Sequence, residues 1–250
     1  MSTPRPLFDA HLHIIDPRFP LAPNQGYLPE EFTAEQYRRR TDGLPVVGGA
    51  VVSGSFQGFD QGYLLHALEQ LGPGFVGVTQ VSNEASDARI AELAEQGVRG
   101  VRFNLRRGGS EGLQHLDTLA RRVHEVAGMH TELYVDARDL DEIADTVAAL
   151  PSVSVDHLGL HADGLPALLR LVERGVRVKA TGFGRIDLDP VAAMRAVLEA
   201  DPTALVVGTD LPSTRARRPF DPKDLDLVAE AAGEHLGAVL YHNAAAFYRL

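Results

Sequence analysis

Between Val46 and Asp210 the chain repeats one unit: a short, mostly aliphatic run, a turn of glycine or polar residues, and a stretch with helical spacing. The aliphatic runs fall at 46–55, 75–81, 98–105, 131–136, 152–157, 176–183 and 204–210, and an eighth, 7–13, precedes them. Valine pairs such as Val46-Val47 and Val51-Val52 make these runs apolar on both faces, as expected of parallel strands covered by helices. The intervening stretches carry helix punctuation. Gly72, Gly97 and Gly128 stand at stops, and Leu116, Leu119, Ala120 and Val123 share one helical face. Asp189-Pro190 pairs an N-cap with proline at the first helical position, a device repeated at Asp221-Pro222, and Asn243 is placed to cap a short final helix. Eight strand–helix units are the number that closes as a barrel, so the expected fold is α/β, a (β/α)8 TIM barrel forming a single domain over 1–250. An open doubly wound sheet is the alternative, but no Gly-x-Gly-x-x-Gly follows the first strand.

One connection breaks the rhythm. Residues 14–45 are proline-rich and hold a single helix signal, the capping box Thr33-Ala34-Glu35-Gln36. A connection this long is usually functional, and we read it as a lid after strand one. Composition narrows the chemistry. With no cysteine, the chain can form neither a disulfide nor a thiolate site, so any metal must sit on histidine and carboxylate. A formal charge of −10 disfavours nucleic acid and anionic membranes as partners. The first six residues carry no signal-type apolar core and no run of eighteen apolar residues follows, so a cytoplasmic location is expected. No pattern fixes an oligomeric state.

In such a barrel, polar residues at the C-terminal strand ends form the active-site face. Strand one ends in His11 and His13, which share a strand face with Asp9. The next ends offer Ser53 and Ser55, Arg102 and Asn104, Tyr134 and Asp136, Asp156 and His157, and Asp210, while Arg185 follows strand seven. His66, His115, His124 and His235 fall on helix patterns outside the ring, and His161 is a borderline case in the loop after strand six. Arg215, Arg217 and Arg218 would either steer an anion to the mouth or form a solvated loop.

Four stretches in this order carry a resemblance: Phe8-Asp9-Ala10-His11-Leu12-His13, Gly100-Val101-Arg102-Phe103-Asn104-Leu105, Val155-Asp156-His157-Leu158-Gly159 and Gly208-Thr209-Asp210-Leu211-Pro212. With the closing His242-Asn243-Ala244-Ala245-Ala246-Phe247-Tyr248, the chain resembles the amidohydrolase superfamily, in the branch that contains 2-pyrone-4,6-dicarboxylate lactonase and related lactone hydrolases. The resemblance implies hydrolysis of a lactone of a small anionic carboxylated substrate. Asp210 would act as general base on water, with His11, His13 and His157 polarising the carbonyl. It also implies substrate contacts from Tyr27, Ser55 and Tyr134 and a carboxylate clamp of Arg102, Arg107 (or Arg106) and Arg185. Members with two metals add a bridging lysine on strand four and histidines on strands five and six, where this chain has Arg102 and Tyr134 on the first two, so a binuclear centre is not expected. His11, His13, His157 and Asp210 are chemically sufficient for one zinc. The first expectation is nonetheless that no cofactor is required, with one divalent metal as the alternative. The competing functions are a mononuclear zinc-dependent amidohydrolase or decarboxylase and an inactive ligand-binding barrel.

Overall fold

The computed structural model describes residues 5–250. Its parallel strands pair in chain order: β1 (Leu7–Leu12), β2 (Val46–Val52), β3 (Phe75–Thr79), β4 (Val98–Phe103), β5 (His130–Leu133), β6 (Val153–Val155), β7 (Arg177–Ala180) and β8 (Leu205–Val207). Helices surround them: α1 (Ala34–Arg40), α2 (Gly62–Leu71), α3 (Asp87–Glu95), α4 (Leu116–Ala127), α5 (Ala144–Ala148), α6 (Leu165–Val172), α7 (Pro190–Ala200), α8 (Asp224–Ala232) and α9 (Asn243–Tyr248). This is the expected (β/α)8 barrel. Among the described residues, no helix is long and apolar enough to cross a membrane.

The ring closes between β8 and β1 through the backbone. Asp210 N donates to His11 O (2.7 Å) and His13 N to Leu211 O (2.7 Å). The approach is so close that a Cβ on Gly208 would lie 2.5 Å from His11 N, which is why glycine stands there. Asp9 locks this seam. Its Oδ1 accepts from Thr209 N (2.8 Å) and its Oδ2 from Thr209 Oγ1 (2.7 Å) and Tyr37 Oη (2.9 Å), so it clasps two strands and α1 together.

The strands are shorter than the apolar runs at their C-terminal ends. Tyr134–Asp136, Asp156–His157 and Gly208–Asp210 leave the ladder and build the mouth instead, because their side chains are polar and their backbones turn. Several cap expectations change as well. Thr33 forms its capping box with Gln36, and Asp189 Oδ1 caps α7 through Val191 N (2.9 Å) and Ala192 N (3.1 Å). Asp221, by contrast, holds a turn whose helix starts only at Asp224. Asn243 is no cap: α9 continues from a π-turn, and the Asn243 amide ties it to Pro202 O (3.1 Å) and Leu205 O (2.9 Å). Segment 14–45 is not irregular throughout. Ile15 pairs with Phe32 at its base, Asn24 pairs with Tyr27 in a hairpin tip, and α1 packs against the barrel through buried Ala34 and Tyr37.

Candidate active site

His11 and His13, two residues apart at the end of β1, share one face and are both buried, beside a register shift between Asp9 and Leu12. His157 follows β6 in a tight turn at φ 53°, and Asp210 follows β8 at φ 60°. Left-handed backbone at a residue other than glycine costs on the order of 1 kcal/mol, and such residues cluster at functional sites. Gly182 (φ 62°), after β7, makes room between them. A Cβ there would lie 2.8 Å from His157 Nδ1, 2.9 Å from Arg185 Nε and 3.0 Å from Asp210 Oδ2.

Three imidazoles converge on one oxygen. Asp210 Oδ1 lies 3.6 Å from His13 Nε2, 3.8 Å from His11 Nε2 and 4.0 Å from His157 Nε2, all four side chains being buried. His13 Nδ1 lies 2.7 Å from the Val52 carbonyl, which can only accept, so Nδ1 carries a proton. His157 Nδ1 meets Thr181 Oγ1 at 2.7 Å. Asp210 Oδ1 and His11 Nε2 have no hydrogen-bond partner, whereas Asp210 Oδ2 is held by the Arg185 guanidinium, including Nε at 3.0 Å. Burial pushes His11 down to about 4 and His157 well below the usual imidazole range, so both are neutral at physiological pH. Burial alone would raise Asp210, but the Arg185 charge outweighs it and keeps it an anion.

The predicted substrate contacts divide into three kinds. Ser55, Tyr134, Arg107 and Arg185 line the cavity above the histidines. Arg102 lines it too, but its donors are engaged: Nε (3.2 Å) and an NH2 group (2.7 Å) hold Asp156, and the other NH2 group holds Ser53 O (2.8 Å). Tyr27 meets the pocket through Arg215, whose guanidinium lies 4.5 Å over its ring. Outward, a cavity of about 240 Å³ is bordered by Arg106, Arg107, Arg185, Arg215 and Arg217 with His161, which sits 3.4 Å from Asp136. The basic cluster after β8 is mostly spoken for, since Arg217 holds Asp187 and Arg218 holds Asp224. His66 and His124 lie on helices as expected, while His115 and His235 close short 3-10 turns.

Beneath the histidines lies a layer that the sequence motifs do not contain. Lys179 of β7 and Glu132 of β5 are fully buried and 2.5 Å apart, and Glu132 Oε1 also meets His130 Nε2 (3.0 Å) and Tyr248 Oη (2.8 Å). The signal that could have found them is a charged residue inside an aliphatic strand, Val178-Lys179-Ala180 and Thr131-Glu132-Leu133, which is tolerated in a barrel interior only when paired.

Two groups of side chains could hold a cation: His11, His157 and Asp210 at the mouth, and His11, Glu132 and Asp156 below. At the mouth the donors fit. Tetrahedral zinc at ordinary bond lengths spaces its ligand atoms about 3.3 Å apart, slightly less than the 3.6–4.0 Å between Asp210 Oδ1 and the three Nε2 atoms. The unpartnered Oδ1 and Nε2 atoms are what such an ion would satisfy.

A parallel barrel whose C-terminal mouth gathers histidines, a buried aspartate and arginines has the architecture of a barrel hydrolase. The chain belongs to the amidohydrolase family, whose model matches residues 8–250. It is 35% identical over 156 residues to a 2-pyrone-4,6-dicarboxylate hydrolase of Comamonas testosteroni, a match spanning 60% of this chain and about half (51%) of that relative. It is 28% identical over 259 aligned positions to a 4-sulfomuconolactone hydrolase of Rhizobium radiobacter, covering 92% and 85% of the two chains. Among solved structures, an apo protein of Agrobacterium tumefaciens shares the fold at a TM-score of 0.86 and 22% identity, over 100% of this chain and 97% of that one.

Proposed function

We propose that the protein hydrolyses a lactone of a small, anionic, carboxylated substrate, and that Asp210 is the general base. The observation that carries this reading is the pairing at Asp210: one carboxylate oxygen is unpartnered and faces three imidazoles, and the other is held by an arginine that borders an arginine-rich cavity. The two curated relatives support it, since both are named as hydrolases of lactone-containing acids.

Asp210 takes a proton from water as the water oxygen bonds to the ring carbonyl carbon, and returns it to the ring oxygen as the C–O bond breaks. A carboxylate pressed this far down by Arg185 is a weak base. A substrate carboxylate that draws Arg185 away would raise its basicity when the lactone is in place. Arg107 and Arg185 are suited to that capture because a planar guanidinium binds a carboxylate bidentately. Tyr134 and Ser55 supply hydroxyl donors at the wall. Arg102 acts through Asp156 rather than as a free clamp.

His11, His13 and His157 surround the developing oxyanion. The same three histidines and Asp210 would hold a single divalent ion, which when bound would polarise the carbonyl and lower the pKa of water. The test is a lactone panel followed by proton release, run with metal analysis of the same preparation and with Asp210→Asn alongside. Hydrolysis of carboxylated lactones that is lost in Asp210→Asn is the expected result. Absence of lactone turnover together with release of CO2 would give the site to a decarboxylase.

A further inference from the structure

The deeper of the two cation-holding groups already contains a positive charge. His11 Nδ1, one Glu132 oxygen and Asp156 Oδ1 come together below the mouth, as ligand atoms of a metal would. The Lys179 ammonium stands among them, 2.5 Å from Glu132 Oε2, 2.9 Å from Ala10 O, 3.4 Å from His11 Nδ1 and 3.9 Å from Asp156 Oδ1. Two of its N–H donors have close acceptors in Glu132 and Ala10, and the third faces His11 Nδ1 and Asp156 Oδ1. The charges in this layer also balance. Arg102 holds Asp156 Oδ2 at 2.7 Å, leaving Lys179 as the counter-charge of Glu132, while His130 and Tyr248 occupy the other Glu132 oxygen. Lys179, Glu132 and Asp156 are all wholly buried.

We infer that the Lys179 ammonium is the resident cation of this deep site, keeping a second ion out of the barrel, and that it is a positioning residue for His11. The coupling is geometric. The His11 ring presents Nδ1 to the ammonium and Nε2 to Asp210 Oδ1, so the depth of Nζ sets where Nε2 points. A chain with Lys179 in place therefore takes at most one divalent ion, at the mouth. Removing the ammonium leaves two carboxylates, an imidazole and a carbonyl around a space of cation size, a donor set that suits manganese or zinc.

The test compares wild type, Lys179→Ala and the charge-neutral double variant Lys179→Ala/Glu132→Gln. Each is equilibrated with Mn²⁺ or Zn²⁺ and then assayed for metal content and melting temperature, with ethylammonium as a monovalent probe. Lys179→Ala is expected to take up one equivalent more than wild type and to gain about 5–10 °C at saturating cation. The double variant should show neither. If Lys179→Ala does not fold unaided, refolding in Mn²⁺ or ethylammonium should recover it. Unchanged metal content in a folded Lys179→Ala, or a chain that no cation rescues, overturns the inference. These readouts do not depend on the substrate. The positioning role, which rests on the lactonase reading, adds one more: Lys179→Ala should lower kcat about tenfold or more with KM held, and ethylammonium should restore part of it.

Discussion

Two polar layers share the barrel axis and differ in how fully their charged groups are paired. In the deep layer, Glu132 is met by Lys179, His130 and Tyr248, and Asp156 by Arg102. At the mouth, Asp210 Oδ1 and His11 Nε2 are buried without partners, and His157 and Asp210 hold left-handed backbone. Each unpaired buried polar atom costs about 1–3 kcal/mol. A protein that gives each charge a few ångströms below an opposite charge, leaving only Asp156 Oδ1 without a hydrogen bond, gains nothing in stability from leaving these open. The contrast supports the proposal that the mouth is the layer held for chemistry and the deep layer its support.

The largest test of that contrast is Asp210→Asn. It keeps shape and removes the base, so turnover should fall by about 10²–10⁴-fold, measured by proton release on the folded protein. The mirror experiment is Glu132→Gln. It leaves Lys179 as an uncompensated buried charge, which typically costs about 3–5 kcal/mol, and should appear as a loss of roughly 6–20 °C in thermal unfolding while the folded fraction stays active. If the two variants exchange phenotypes, the assignment of the layers is reversed.

Acid should expose the same difference. His11, His130 and His157 all have folded-state values pressed below 6.5 by burial. The unfolded chain then binds more protons as pH falls through 6.5, so stability is full above that point and declines below it. For His11, a drop from 6.5 to about 4 corresponds to about 3 kcal/mol. Burial would raise Glu132, but Lys179 holds it at about 2, so it adds to the decline below pH 4.5. Asp9, raised to about 6 by burial, works the other way between 3.8 and 6 and offsets a part. Thermal scans from pH 7.5 to 4.5 should show a falling melting temperature, and a flat profile would mean that the imidazoles are solvated. Arg185→Gln comes next in size: KM for a carboxylated lactone should rise about 10–100-fold, more than for an uncharged one.

The fold and the mouth were legible from sequence for the same reason. Barrel strands are nearly continuous apolar runs, and their polar ends are where a parallel barrel puts its site, so position put His11, His13, His157 and Asp210 among the mouth residues and the family resemblance singled them out. The deep layer was not legible, because Glu132 and Lys179 sit inside the runs, and pairing across 47 residues of chain leaves no local pattern. Strand ends defeated the reading too. The aliphatic run at 204–210 looks like one strand until Gly208 has to pass within touching distance of His11. Asp9 shares the motif with the histidines, yet its four bonds to Thr209, Tyr37 and His11 spend both oxygens on closure.

The smallest predicted effect concerns the arginines after β8, whose charge alone suggested either steering or solvation. The structure separates them by what they hold. Arg217 pairs with Asp187 with both side chains more than half exposed, at 64% and 51%, and such pairs contribute about 0–1 kcal/mol. Arg215 instead stacks on Tyr27 and holds Asn24 of the hairpin tip, so it couples that tip to the cavity. Arg217→Ala should therefore leave the melting temperature within about 2 °C and change KM less than about twofold at physiological salt. Arg215→Ala should raise KM several-fold at every salt concentration, because it loosens a contact rather than a field. A KM for Arg217→Ala that rises at low salt and converges on wild type at high salt would reveal long-range steering, and the arginine-rich rim would then count as part of the capture machinery rather than as a paired surface.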